Sequence, residues 1–200
     1  MNSSDVWLRA ATVAAAIVVV ALITFVPPAS AELWLDAALG RLIWASGALP
    51  RTVLFPFTEA SRFPFTAHEW LSSLTLYGFV RLIGHAHLVF VKGLLGLALF
   101  GLCCRLAFRL SASLFATVLV ALAAMAAANF RFYLRPELFG LFFFVIVLSL
   151  LVEFRAGGRR RYLLACAPVA LLWANSDGSF PLALVLAACF AAGAAAQTLR

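Results

Sequence analysis

The stretch LLWANSDGSFPL, residues 171–182, places an amide, two hydroxyls and a carboxyl group between two of the most apolar runs of the chain. A carboxyl group there could accept a proton or bind a metal ion, and an acid at membrane depth is by default a functional candidate. Asn175 and Asp177 are therefore candidate site residues. The structural alternative is that Gly178 ends one helix and Asp177 caps the next, ahead of Pro181.

A second group of polar residues lies in segment 29–86, which carries four of the eight acids of the chain: Glu32, Asp36, Glu59 and Glu69. Two parts of this segment, 33–45 and 68–83, have apolar residues at helical spacing. A proline-bounded extended strap connects them. Their apolar faces and nearby tryptophans are typical of helices that lie at a membrane interface.

The composition indicates which kind of structure positions these polar residues. The chain is 65% hydrophobic and 12% charged, with a mean hydropathy of +1.05, far outside the soluble range. Its apolar residues occur in long runs, which predicts an all-α polytopic membrane helical bundle. Counting runs against the roughly 20 residues that cross a bilayer, we expect about six transmembrane helices, at 10–28, 87–108, 111–130, 136–153, 161–174 and 181–198.

Arginines set the expected orientation. The cluster at Arg155 and 159–161, and the pair Arg105 and Arg109, place these two loops and the N-terminus on the cytoplasmic side, so that segment 29–86 is extracytoplasmic. The first apolar run also resembles a signal peptide, but its length favours an uncleaved helix. The thirteen residues 162–174 make roughly 20 Å of helix, so the polar stretch after them falls near the outer leaflet.

The net charge of +7 comes from arginines at the ends of the apolar segments, where they set the orientation and contact lipid head groups. We therefore expect no nucleic-acid partner. The four cysteines lie inside apolar runs without metal-ligand spacing and are interpreted as core or lipid-facing residues. The sequence leaves the oligomeric state open.

Four stretches in order carry a family resemblance: WLDAALGRLIWASGALPRTVLFPFT (34–58), HEWLSSLTLYGFVRLIG (68–84), RFYLRPELFG (131–140) and LLWANSDGSF (171–180). Together they resemble the integral-membrane glycosyltransferases of the C-type superfamily (GT-C), in particular bacterial members related to protein mannosyltransferases and family 39. The resemblance extends over nearly the whole chain. It implies transfer of a sugar from a polyprenyl-phosphate-linked donor to an acceptor on the outer face of a bacterial cytoplasmic (inner) membrane.

The resemblance also implies roles for single residues. Asp36 matches the early loop acid of the family and is the candidate catalytic base, and Glu69 is the second candidate catalytic carboxylate. Substrate binding is expected from His68, Arg131, Arg135, Asn175 and Asp177, with the two arginines holding the phosphate. A divalent cation is a further option, with ligands that the sequence does not identify.

Each role has a structural alternative. Asp36 could be a solvated acid paired with Arg41, and His68 and Glu69 could form only the first turn of a helix. Both candidate arginines could reach lipid head groups.

Members of the family that the chain resembles usually carry a histidine where this chain has Asp177, and they normally have more crossings. The chain is therefore expected to be the N-terminal part of a longer enzyme or, alternatively, a truncated inactive relative. A second hypothesis is a non-catalytic membrane scaffold that associates through Gly93 and Gly96. A small transporter is third, because a polar break at membrane depth also occurs in that class.

Overall fold

The computed structural model describes residues 3–27, 30–52, 63–129 and 132–198. Within these ranges the regular secondary structure is helical, and the predicted all-α fold class is confirmed for them. The helices, apart from a short 3-10 turn at His85–His87, are α1 (Ser3–Thr24), α2 (Ala31–Ser46), α3 (Trp70–Ile83), α4 (Leu88–Ser111), α5 (Leu114–Ala128), α6 (Pro136–Gly157), α7 (Arg160–Ala174) and α8 (Pro181–Thr198).

Three of these helices are long and apolar enough to cross a membrane: Asp5–Thr24 in α1, His85–Ser111 containing α4, and Pro136–Gly157, which is α6. They indicate a membrane protein. Helices α5 and α7 have 15 residues each, or about 22 Å of length, less than the roughly 30 Å of a hydrocarbon core. The six predicted crossings therefore stay a prediction.

Both helices predicted in the first loop are present as α2 and α3, and each begins or ends within two residues of its predicted bounds. Apolar residues at helical spacing were a sufficient signal for them. Gly47 ends α2 in the left-handed conformation, with φ of 65°. Most of the predicted strap, including Glu59, lies outside the described residues.

The chain forms two compact units, and the first consists of Met1–Ala29 and Ile83–Leu134. Here α1, α4 and α5 pack together. Glycines allow close packing of α4 on α1: a Cβ at Gly96 would lie 2.7 Å from Thr24 Cβ, and one at Gly93 would overlap the Phe25 ring. Buried Lys92 donates to the carbonyl of Val26 over 3.1 Å, just beyond the end of α1. Gly93 and Gly96 therefore face α1 of the same chain, whereas the scaffold hypothesis placed them against a partner.

The second unit consists of Ser30–Leu82 and Arg135–Arg200. Its core lies between α6, α7 and α8, where Trp173 is fully buried. The indole stacks on Phe143 with a centroid distance of 6.4 Å and meets Phe144 edge to face. This aromatic cluster holds the end of α7, from which the polar stretch begins.

In the same unit, α2 and α3 approach each other closely at Gly40. A Cβ at this position would overlap the Ser73 carbonyl group, so only glycine allows this approach. One turn further along α2, the Arg81 guanidinium lies 5.1 Å from the ring centroid of Trp44. The two helices of segment 29–86 are thus packed on each other through the close approach at Gly40 and a cation–π contact at Trp44.

Replacing Gly96 by Leu should lower the free energy of unfolding by about 1–3 kcal/mol, because the side chain has no space against Thr24. Gly101→Leu is the matched control on the same helix, since nothing lies within 4 Å of its Cβ position. Thermal unfolding of both purified variants in detergent measures the difference. Equal midpoints for the two variants would contradict this packing.

Candidate functional site

The polar stretch is a tight turn whose central residues are buried. Helix α7 ends at Ala174 with Asn175 as its C-cap, and Ser176 and Asp177 are only 3% and 4% exposed. Their backbone N–H groups donate to the Trp173 carbonyl, each over 2.9 Å. The structural alternative in which Gly178 ends the helix is wrong. Helix α7 already ends at Ala174, and the φ of Gly178 is not positive.

Asp177 is held by its own turn. One of its carboxylate oxygens accepts hydrogen bonds from the Trp173 indole N–H over 3.4 Å and from the Ser179 N–H over 3.1 Å, and the Ser179 hydroxyl binds the same oxygen. Gly140 of α6 leaves the space that this oxygen occupies, since a Cβ there would overlap it. Asp177 therefore joins the aromatic core, the turn and α6.

The start of α3 docks on this turn. The Trp70 indole N–H donates to the Asn175 side-chain oxygen over 2.8 Å, and the Leu71 N–H donates to the Asn175 carbonyl over 3.0 Å. The side-chain amide nitrogen of Asn175 donates a hydrogen bond to the Leu171 carbonyl over 2.8 Å. Asn175 thus satisfies groups in both α3 and α7, which is a structural use of this predicted substrate-binding residue.

Two further hydrogen bonds complete the docking. The Ser72 hydroxyl donates to the Ser176 carbonyl over 2.6 Å in a fully buried position. The Gly178 N–H donates to the Glu69 carboxylate over 3.3 Å. We call these four bonds, from residues 69–72 to residues 175–178, the α3 docking contact.

Glu69 lies in the turn before α3, beside His68, whose Nε2 is 3.5 Å from the Glu69 carboxylate. Burial raises the pKa of Glu69 above its ordinary value. The Gly178 hydrogen bond and the His68 charge lower this pKa, while the negative charges of Asp177 and Glu137 raise it. Glu69 is thus at the centre of a group of acids.

Asp36 belongs to the same group. It lies one turn before Gly40 on α2, on the side where α2 approaches α3. Burial raises the pKa of Asp36 from 3.8 to about 7, and the charges of Glu69 and Glu137 add to the rise. Among the described side chains Asp36 forms no ion pair with Arg41, so the solvated-pair alternative is not what the structure has.

The N-terminus of α6 supplies the basic group. Arg135 precedes Pro136, the first residue of the helix, and has an extended backbone. Its guanidinium forms an ion pair with Glu32, and its Nε donates to the Ser30 hydroxyl over 3.1 Å. Arg131, the other arginine predicted to bind phosphate, lies outside the described residues.

The structure therefore brings Asp36, Glu69 and Asp177 into one electrostatic group, with His68 at its edge, and adds Glu137, which the sequence reasoning missed. Glu137 follows Arg135 and Pro136 at a helix start, and an acid in the first turn of α6 was the signal that could have identified it. Gly40 and Gly140 were also missed, because only the packing shows why their side chains must be absent.

The acids do not form a metal site in the described part of the chain. No group of three or more histidine, cysteine, aspartate or glutamate side chains there is arranged to hold an ion. Asp177 directs one oxygen to donors of its own turn, and Glu69 accepts from Gly178. The chemistry considered below therefore assigns no step to a divalent cation.

Replacing Ser72 by Ala should lower the free energy of unfolding by about 1–3 kcal/mol, because the buried Ser176 carbonyl loses its donor. The neighbouring Ser73 is the matched control: it is also buried, but its hydroxyl has no hydrogen-bond partner in the described part of the chain. Ser73→Ala should be neutral or stabilising. Thermal unfolding in detergent measures both, and equal losses would contradict the α3 docking contact.

Replacing Asp36 by Asn should stabilise the protein at pH 8 by about 1–2 kcal/mol, a value reduced for partial exposure, and much less at pH 4. The folded-state pKa lies above the unfolded value, so the cost of ionising Asp36 appears as pH rises from 3.8 to about 7. The exposed residue Asp5 provides the control, Asp5→Asn. If Asp36→Asn changed the melting temperature by the same amount at pH 8 and at pH 4, the raised pKa of Asp36 would be contradicted.

Comparison of the chain with known protein families, curated proteins and solved structures finds no match. The described residues include a set of four carboxylates, one of them with a pKa raised to about 7, in the same compact unit as an arginine at a helix N-terminus.

Proposed function

We propose that the protein is a membrane glycosyltransferase of GT-C type that transfers a sugar from a polyprenyl-phosphate-linked donor to an acceptor hydroxyl. The observation that carries this proposal is the raised pKa of Asp36 within a group of acids. A general base is most effective when its pKa lies near the working pH, and burial and neighbouring charges are the usual means of placing it there.

In the proposed reaction Asp36 accepts the proton of the acceptor hydroxyl as its oxygen bonds to the anomeric carbon of the sugar. The bond from that carbon to the phosphate oxygen breaks, and polyprenyl phosphate leaves with the electron pair. Glu69 and Glu137 keep Asp36 basic enough to take the proton, because each negative charge disfavours its ionised form. Because Asp36 is partly buried, water has only partial access to the proton transfer.

Arg135 is the proposed partner of the donor phosphate. It already binds one carboxylate, that of Glu32, and lies at the positive end of the α6 dipole. A guanidinium can bind a phosphate bidentately and stabilise the charge that develops on it as the donor bond breaks. His68, exposed beside Glu69, is the proposed contact to sugar hydroxyls.

The proposed topology follows the arginine distribution. It has six crossings in a bacterial cytoplasmic membrane, a cytoplasmic N-terminus, and segment 29–86 on the outer face. This places Asp36 and Glu69 where a polyprenyl tail can remain in lipid while its phosphate meets water. The tail, the phosphate and the acceptor then come together only at the outer interface.

A second candidate is a non-catalytic membrane scaffold, and a specific observation favours it. The Glu69 carboxylate accepts from the Gly178 N–H and so helps to hold the start of α3 on the turn after α7, while the Asp177 carboxylate accepts from the Ser179 N–H and stabilises the turn itself. In that case the raised pKa of Asp36 is a tolerated cost of packing. The two candidates differ in whether Asp36→Asn changes anything besides stability.

Asp36→Asn should reduce sugar transfer by about 100-fold or more, because a general base typically contributes 10²–10⁴-fold. The measurement is release of polyprenyl phosphate from a panel of polyprenyl-phosphate hexoses, in the presence of a panel of hydroxyl acceptors, by purified protein in proteoliposomes. Wild-type activity should rise with pH through about 7, because Asp36 must lose its proton first.

Asp5→Asn is again the matched control, since it makes the same chemical change at an exposed position of α1. Full activity of Asp36→Asn at wild-type abundance would remove Asp36 from the mechanism. The scaffold would be favoured if wild-type protein released polyprenyl phosphate from none of the donors while Asp36→Asn still changed stability as predicted.

A further inference from the structure

A groove at the end of the second unit away from the acids is lined by side chains from α6, α7 and α8. Its volume is about 260 Å³, and all but one of its lining residues are apolar. The apolar residues are Leu151, Phe154, Leu163, Ala187, Phe190, Ala191 and Ala194. A groove of this composition in a membrane protein suits a hydrocarbon chain.

The remaining lining residue is Arg155, in the last turn of α6. Its guanidinium extends toward α8: a Cβ at Gly193 would lie in ordinary van der Waals contact with it, 3.8 Å from one terminal nitrogen. A cation at the mouth of an otherwise apolar groove matches a ligand with an anionic head and an apolar tail.

The surrounding charge supports the same ligand. Arg159, Arg160 and Arg161 follow Arg155 across the short connection between α6 and α7, and Glu153 is the single acid in segment 153–161. This end of the unit therefore has a formal charge of +3 from four arginines and one glutamate. Basic pockets between membrane helices are known to recognise anionic lipid head groups.

We propose that this groove binds one anionic phospholipid of the bilayer, with an acyl chain along α8 and the phosphate on Arg155. The other arginines raise the local concentration of anionic lipid without contacting this molecule. The site is separate from the group of acids around Asp36 and does not depend on the proposed transferase activity.

Native mass spectrometry of the purified full chain tests this proposal, with phosphatidylglycerol and phosphatidylcholine of identical acyl chains as probes. We expect phosphatidylglycerol to bind about tenfold more tightly, and Arg155→Gln to remove that preference. Arg160→Gln, which removes the same charge from a residue outside the groove, should retain it. Ala191→Phe fills the groove and should weaken binding of both lipids.

Three results would overturn the proposal. Equal affinity of wild-type protein for both lipids would show that no head group is selected. Equal losses in Arg155→Gln and Arg160→Gln would show that surface charge alone attracts the lipid. Displacement of the lipid by glycerol phosphate, or unchanged lipid binding in Ala191→Phe, would show that the groove does not hold the chain. Thermal unfolding of each variant separates these results from misfolding.

Discussion

Buried backbone polar groups in the turn between α7 and α8 need partners, and a chain this apolar must supply them from within itself. The start of α3 does so. Trp70, Leu71 and Ser72 satisfy Asn175 and the Ser176 carbonyl, over distances of 2.6–3.0 Å. Because α3 packs closely on α2 at Gly40, the same hydrogen bonds also fix where α2 lies. The positions of Asp36 and Glu69 thus follow from the need to satisfy one polar turn.

That arrangement has an electrostatic cost. Docking α3 brings Glu69 toward Asp177 and Glu137, and the approach of α2 adds Asp36, so four carboxylates share one partly buried region. Burial, together with the charges of Glu69 and Glu137, raises the pKa of Asp36 to about 7. Packing alone would be served better by neutral residues, since a buried acid without a cation is destabilising once it ionises. The presence of these acids in one partly buried region is the physical reason to consider catalysis rather than assembly.

Local patterns in the sequence were sufficient for the helices and for singling out Asp177 in its polar break, whereas Asp36 and Glu69 were chosen from the family resemblance. They could not show that Asp177 faces the Trp173 indole, or that Glu137 joins the acids, because these contacts depend on how α6 packs against the turn. The glycines at 40 and 140 had no local signal either. The GT-C resemblance, the orientation and the role of Arg131 remain predictions.

The most direct test of this account is proximity between the start of α3 and the polar turn in a membrane. The test uses a chain whose four cysteines are replaced and which carries His68→Cys together with Gly178→Cys. This pair leaves Glu69 unchanged. A Cβ at Gly178 would lie 3.9 Å from His68 Nε2, so the two positions are close enough to be linked. A short bifunctional thiol reagent should link this pair, detected by mass spectrometry after proteolysis. It should not link His68→Cys to Ala156→Cys, about 24 Å along α6 from Gly140. Absence of the first link, or equal yield of both, would contradict the docking of α3 and the convergence of the acids.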